Sequence, residues 1–209
     1  MRVNESKTKE MLIYFGSKHD PSELARIHIN SKAIEGVESF KLLGVVLSSD
    51  LSWSEHVDYM LRKVAKRMYC IRYLVRARVK DTDVLTIYCS VIRTVLEYAC
   101  PVWHPGLTQK QSDEIEKIQK RCLKLIYPNL SYNHALATSG LTKLQERRET
   151  ITRELFNEIK DHRHVLHSIL PMRDPNSLRS RNPYQYLIPI TKPTRFGRAF
   201  VPYCISRRY

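Results

Sequence analysis

The sequence lacks the glycine and hydrophobic patterns that several large protein classes require. It has six glycines in 209 residues and no glycine-rich phosphate loop followed by a lysine, which excludes a P-loop nucleotide site. No apolar run approaches the roughly 18 residues that a membrane-spanning helix needs. The N-terminus shows no apolar core followed by a small-residue cleavage site. We therefore expect an intracellular protein, nuclear or cytoplasmic, that is neither secreted nor membrane-bound.

Paired cysteines are also missing. The five cysteines are odd in number and widely spaced, a pattern typical of free thiols in a reducing compartment rather than of a disulfide framework. Asp81 with Asp83 could be imagined as a metal-binding pair, but acids here are typical of a helix start. His162, His164 and His167 lack the second ligand pair of a zinc site. We predict no metal site and no complete catalytic constellation.

Acidic residues are scarce relative to basic ones. There are 21 of them against 35 lysines and arginines, which gives a net charge of +14 at pH 7. Such a charge bears on partners rather than on the fold. Nucleic acid is the first partner that it indicates, and an anionic membrane surface is the second.

A strand followed by a basic amphipathic helix is the central feature of the chain. Residues 42–47 are apolar on both faces, which predicts a strand covered on both sides. From Ser54 onward apolar residues recur every three or four positions, as in a helix. Like charges four residues apart destabilise a helix by a few tenths of a kcal/mol per pair. We expect bound phosphates to offset this repulsion. The basic residues, with no acid among them, are Arg62, Lys63, Lys66, Arg67, Arg72, Arg76, Arg78 and Lys80.

The remaining pattern predicts an α+β fold that is mainly α. Three parts are expected: residues 1–53 with a small antiparallel β element, residues 54–170 as a helical bundle, and residues 171–209 as an irregular basic tail. Short strands are predicted at 11–15, 27–29 and 34–39. Further helices are predicted at 81–99, 108–127, 132–138, 142–159 and 164–170.

One detail of this prediction concerns the helix at 81–99 and the residue that ends it. The helix at 81–99 is nearly apolar all round, which is typical of the central helix of a bundle. We expect Pro101 to end it and residues 102–106 to form a turn.

In the tail, aromatic residues are interleaved with arginines, a combination that fits base stacking and backbone contact. A tail wrapped over its own helices remains an equal alternative.

The order of short motifs resembles the reverse transcriptases of non-LTR (LINE-type, jockey-like) retrotransposons. Residues 4–8, NESKT, and the apolar residues after them are similar to the palm lysine motif of that family. Residues 40–45, FKLLGV, are similar to its primer-grip strand. Later stretches resemble its following landmarks: residues 50–53 with His56, and 87–88, 96–99, 101–103, 116–121 and 144–148 in the thumb.

The resemblance implies the end of a palm, the primer grip and the thumb of an RNA-directed DNA polymerase. Lys7 would lie near the incoming nucleotide and help pyrophosphate to leave. The family's metal-binding aspartates precede the lysine motif, and Met1 stands just before that motif here. Two-metal chemistry needs those carboxylates. We therefore expect no bound cofactor and no polymerase activity from this chain alone, although the parent polymerase would use Mg²⁺.

The resemblance also implies an RNA/DNA template–primer duplex as the partner, together with the remainder of the palm and fingers. A duplex close to A-form is contacted through its backbone rather than read by sequence. A helical protein-interaction module, or a non-functional relic of a transposable element, is the alternative function. The predicted nucleic-acid contacts are Lys41, Gly44, Arg62, Lys63, Lys66, Arg67 and Arg72.

Overall fold

A computed structural model describes residues 4, 7–13, 27–172, 186–187 and 195–209. In the part of the chain that the structure describes, 61% of the residues are helical and 11% lie in strands, which confirms the predicted α+β, mainly α class. The chain divides into two compact units, Met1–Tyr59 and Met60–Tyr209.

Among its described residues, the first unit contains three two-stranded sheets made of short strands. In chain order they are β1 (Lys9–Glu10), β2 (His28–Ile29), β3 (Lys32–Ala33), β4 (Glu35–Gly36), β5 (Ser39–Leu42) and β6 (Val45–Ser48). β1 pairs with β4 in parallel, and the other two pairs, β2 with β3 and β5 with β6, are antiparallel. The prediction of a strand at 11–15 is wrong for residues 11–13, because β1 pairs only along the two residues of β4. Residues 14–15 lie outside the described residues.

The strand predicted at 42–47 is in fact the middle of a β-hairpin. Leu42 pairs with Val45, so Leu43 and Gly44 form a two-residue turn. Their φ angles are 47° and 87°, as a type I′ turn requires at both central positions, and glycine adopts such an angle without steric cost. Leu42 is consequently 50% exposed and Leu43 84% exposed. The expectation of a strand covered on both faces is therefore wrong for this tip.

The basic helix forms as predicted. It is α1, Ser54–Arg76, with Glu55 in its first turn, where an acid suits the helix dipole. Its apolar stripe is buried, with no member more than 2% exposed: Val57, Met60, Val64, Met68 and Ile71.

The second long helical stretch has one buried face rather than being apolar all round. It runs through α2 (Asp81–Ile87), a π-helical segment (Tyr88–Arg93) and α3 (Thr94–Glu97). The fully buried residues are Val84, Tyr88, Ile92 and Leu96. An exposed hydroxyl stripe lies elsewhere on the helix, and each hydroxyl in it donates to the carbonyl four residues earlier: Thr86, Ser90 and Thr94.

This stretch also corrects one expectation about hydrophobic length. Asp81–Gly106 has the length and composition of a membrane-spanning helix. Polar residues interrupt its apolar ones, so the sequence shows no long apolar run there. Length and composition alone are weak evidence, because core helices of globular proteins share them. The helical path is also broken at Ala99, which has a φ of 51°.

Pro101 begins a helix instead of ending one. It lies in the first turn of α4 (Cys100–Trp103), where its missing N–H is not needed. A 3₁₀ turn, His104–Gly106, follows directly. The predicted turn at 102–106 is therefore helical.

The next three helices lie where the sequence predicts them. α5 (Gln109–Ile126) begins with a reciprocal capping box between Thr108 and Gln111. α6 (Tyr132–Ser139) ends at Gly140, whose φ of 66° suits a left-handed cap. α7 (Leu144–Ile159) follows, and a short 3₁₀ turn occupies His167–Ile169.

The described end of the tail is ordered, so the prediction of an irregular tail is wrong there. α8 (Phe200–Arg207) contains Pro202 in its first turn, where a missing N–H breaks no helical hydrogen bond. The helix packs on α7, and Phe156, Cys204 and Ile205 lie in one buried cluster. For residues 195–209 the structure thus favours a tail folded over its own helices. Residues 173–185 and 188–194 lie outside the described residues.

Candidate nucleic-acid interface

The exposed surface of α1 carries most of the predicted contact residues. Arg62, Lys63, Lys66 and Arg72 are all exposed, because they lie off the buried stripe. Within the described part of the chain, no carboxylate pairs with Arg62, Lys66 or Arg72. These three side chains therefore present positive charge to solvent without a carboxylate partner among the described residues, which favours attraction of a polyanion.

Arg67 is used differently from its neighbours. It is half-buried, and its Nη1 donates a 2.6 Å hydrogen bond to the carbonyl oxygen of Val91. Val91 lies in the π-helical segment, where hydrogen bonding departs from the regular α-helical ladder. The guanidinium of Arg67 thus stabilises the pairing of α1 with the second helical stretch. A nucleic-acid role for Arg67 stays a prediction.

The other predicted residues belong to the first unit. Lys41 is exposed on β5, and its Nζ lies 4.6 Å from the centre of the Tyr59 ring. Gly44 lies in the hairpin turn, and its positive φ accounts for a glycine at this position. Lys7 is exposed in a tight turn, where its N–H donates to the carbonyl of Asn4 at 3.2 Å. The structure thus places Lys41 and Gly44 on one hairpin and Lys7 in a separate turn.

Sequence reasoning missed an aromatic pair on α1. Tyr69 and Tyr73 are 66% and 60% exposed. Their ring centres lie 6.3 Å apart, with 28° between the ring planes. The signal was present in the sequence, since tyrosines spaced by four within a basic, acid-free helix fall on one face.

The landmark at 50–56 has a structural role. Asp50 accepts a hydrogen bond from the Ser52 N–H at 2.9 Å, which shapes the turn before α1. His56 is buried, and its Nδ1 accepts the Val46 N–H at 3.2 Å. This bond requires an unprotonated Nδ1, and burial lowers the pKa of His56 to about 4. A neutral histidine therefore joins the hairpin to the first turn of α1.

The landmark at 116–121 also holds the fold together. Gln119 is fully buried and accepts from the Tyr88 hydroxyl at 2.7 Å. Its amide nitrogen donates to the Thr142 carbonyl and the Tyr132 hydroxyl, at 2.9 and 3.0 Å. Glu116 accepts from the Tyr132 hydroxyl and from the Leu144 N–H. This network connects four helical elements through side chains that the sequence pattern places in one motif.

A second network joins the motifs at 101–103 and 144–148. Arg148 is fully buried, with its guanidinium 5.8 Å from the centre of the Trp103 ring. It donates to His104 Nδ1 at 3.4 Å and to Ser112 Oγ at 3.0 Å. His104 Nε2 is therefore the protonated nitrogen, and it donates to Glu149 at 2.8 Å. Burial lowers the pKa of His104, so this cluster is a neutral-histidine packing network.

All five cysteines are free thiols, as their number and spacing predict. Burial raises the pKa of the thiols of Cys100, Cys122 and Cys204 to about 12. Buried thiols of this kind are inert rather than nucleophilic. Among the described residues, no group of three or more histidine, cysteine or acidic side chains is arranged to hold a metal ion.

No protein-family model matches the chain, and no curated protein or solved structure is significantly similar to it.

Proposed function

We propose that this chain is the palm end, primer grip and thumb of a non-LTR retrotransposon reverse transcriptase, and that it holds a template–primer duplex through its backbone. The observation that supports this is the exposed basic surface of α1, on which Arg62, Lys66 and Arg72 have no carboxylate partner among the described residues. In such an assembly the remainder of the palm and fingers would supply the metal-binding aspartates. The proposal implies an intracellular protein, nuclear or cytoplasmic, because the nucleic-acid partner is there.

The length of the basic surface suits a backbone contact. Arg62 and Arg76 are fourteen residues apart, which is about 21 Å along an α-helix. A duplex carries one negative charge per roughly 1.7 Å of its axis, so several phosphates lie within that span. The exposed residues of α1 include no asparagine or glutamine. Such side chains read adenine edges, and their absence on α1 fits sequence-independent binding.

The proposal is tested by reversing charge on α1. The variant Lys63→Glu with Lys66→Glu is expected to weaken binding of a blunt RNA–DNA hybrid at least tenfold, since two phosphate contacts become repulsive. Affinity is measured by fluorescence anisotropy at constant salt, and circular dichroism verifies the helical content.

The matched control is Lys110→Glu with Lys117→Glu, which makes the same change in net charge on α5, where both lysines are exposed. It should retain most of the affinity. Equal losses in the two variants would show that only net charge matters. Unchanged binding in the α1 variant would favour a protein-interaction module or a relic instead.

A further inference from the structure

The aromatic pair on α1 is the feature that duplex-backbone binding does not use. Tyr69 and Tyr73 expose most of their surface and lie side by side, with ring planes inclined by only 28°. A phosphate backbone needs cations and hydrogen-bond donors, and it gains nothing from a pair of ring faces. Exposed, roughly parallel rings offer a platform for another flat, apolar group.

Cations flank this platform along the same helix. At 100° per residue, Tyr69 and Tyr73 fall within a strip about 80° wide that also holds Arg62, Lys66 and Arg76. All three cations are exposed. Arg62 and Lys66 lie before the pair and Arg76 lies after it. Aromatic rings enclosed by cations fit a ligand that alternates flat rings with negative charges.

We infer that Tyr69 and Tyr73 stack with unpaired nucleotides of a strand that extends beyond the duplex, while Arg62, Lys66 and Arg76 contact its phosphates. This inference rests on the proposed function, because the unpaired nucleotides continue a strand of the duplex that the same helix holds. Stacking of bases on aromatic side chains tolerates any sequence, since every base has a flat face. The ligand is thus a duplex with a single-stranded extension of any sequence.

The test compares three ligands: a blunt RNA–DNA hybrid, the same hybrid with an oligothymidine extension, and the same hybrid with an abasic extension of equal length. The wild-type chain should bind the oligothymidine extension at least about fivefold more tightly than the abasic one. The two extensions carry equal numbers of phosphates, so that ratio isolates the bases.

Two double variants test whether the tyrosine rings cause the tighter binding of the oligothymidine extension. Tyr69→Ala with Tyr73→Ala should bind the two extensions with equal affinity and keep wild-type affinity for the blunt hybrid. Tyr69→Phe with Tyr73→Phe should retain the difference, because stacking needs the ring and not the hydroxyl. Alanine favours helix at exposed positions, and circular dichroism verifies folding.

Each outcome decides the inference. A wild-type chain that does not distinguish the extensions overturns it, as does a double alanine variant that still does. Ring-dependent binding of the extension without binding of the blunt hybrid supports it while contradicting duplex holding. A dimer that dissociates in the double alanine variant, measured by analytical ultracentrifugation, would assign the pair to self-association and overturn the inference.

Discussion

At the scale of single residues, His56 couples the fold to pH. Its burial lowers the pKa from the ordinary 6.5 to about 4 in the folded chain. The unfolded chain therefore binds more protons between those two values, and protonated Nδ1 cannot accept the Val46 N–H. The stability that neutral His56 contributes is fully present above about pH 6.5 and is lost as the pH falls toward 4.

The variant His56→Asn should remove this pH dependence. Asparagine can place its oxygen near the position of Nδ1 and does not titrate. Between pH 7 and pH 4.5, the wild-type chain should lose about 2 kcal/mol more unfolding free energy than the variant. Urea denaturation at both pH values measures the difference.

An exposed histidine provides the control for this experiment. His162→Asn changes a side chain that is 85% exposed, so it should leave the wild-type pH dependence intact. Parallel losses of stability in the wild-type chain and in His56→Asn would contradict the assignment.

At the scale of elements, one carboxylate anchors the start of α7. Lys143 offers no capping side chain, and Glu116 on α5 takes that role by accepting the Leu144 N–H at 3.0 Å. A negative charge at this position also suits the positive end of the helix dipole. The start of α7 thus depends on a residue 28 positions earlier in the chain.

Glu116→Gln should lower the unfolding free energy by about 1–2 kcal/mol, because the charge is lost and an amide has only one acceptor oxygen for two donors. Glu114→Gln on the same helix serves as the control, since no ion pair or hydrogen bond of Glu114 occurs among the described residues. Thermal and urea unfolding measure both variants. Equal stability of the two would show that the α7 anchor is elsewhere.

The elements differ in how far the sequence predicts them. α5 and α6 were predictable because capping residues and helical periodicity agree, as at Thr108 and Gly140. The hairpin was not, because Leu43 is an unusual residue at a positive φ and hides the turn that Gly44 marks. The anchor from Glu116 joins distant positions and has no local signal.

For the candidate site, the basic residues of α1 were predictable from charge and period together. The structure adds what a charge pattern cannot show. Arg67 is engaged by a backbone carbonyl, which depends on the packing of a second helix. Tyr69 and Tyr73 stack with each other, which depends on rotamers as well as on their spacing.

At the scale of the whole molecule, the net charge of +14 predicts strongly salt-dependent binding. Each phosphate contact releases counterions and steepens the dependence of log affinity on log salt by roughly 0.7–0.9. Charge alone therefore predicts attraction to any polyanion, whereas placement of that charge on α1 predicts which residues set the slope.

Neutralising two lysines should reduce the slope by a definite amount. Lys63→Gln with Lys66→Gln is expected to lower its magnitude by about 1.5 for a blunt RNA–DNA hybrid. Anisotropy titrations over a series of salt concentrations give the slope. Lys110→Gln with Lys117→Gln should leave it unchanged, and tight binding by the wild-type chain that is independent of salt would refute backbone contact.

The π-helical segment Tyr88–Arg93 is the place in this helical stretch where the loss of one residue should least disturb the buried face. On a regular α-helix, residues spaced by four drift by about 40° per step, yet Val84, Tyr88, Ile92 and Leu96 are all fully buried. The wider π turn absorbs part of that drift, so it holds one residue more than an α-helical path would need. A one-residue deletion there is expected to leave the following side chains facing the core, whereas elsewhere in the stretch it should turn them by about 100°.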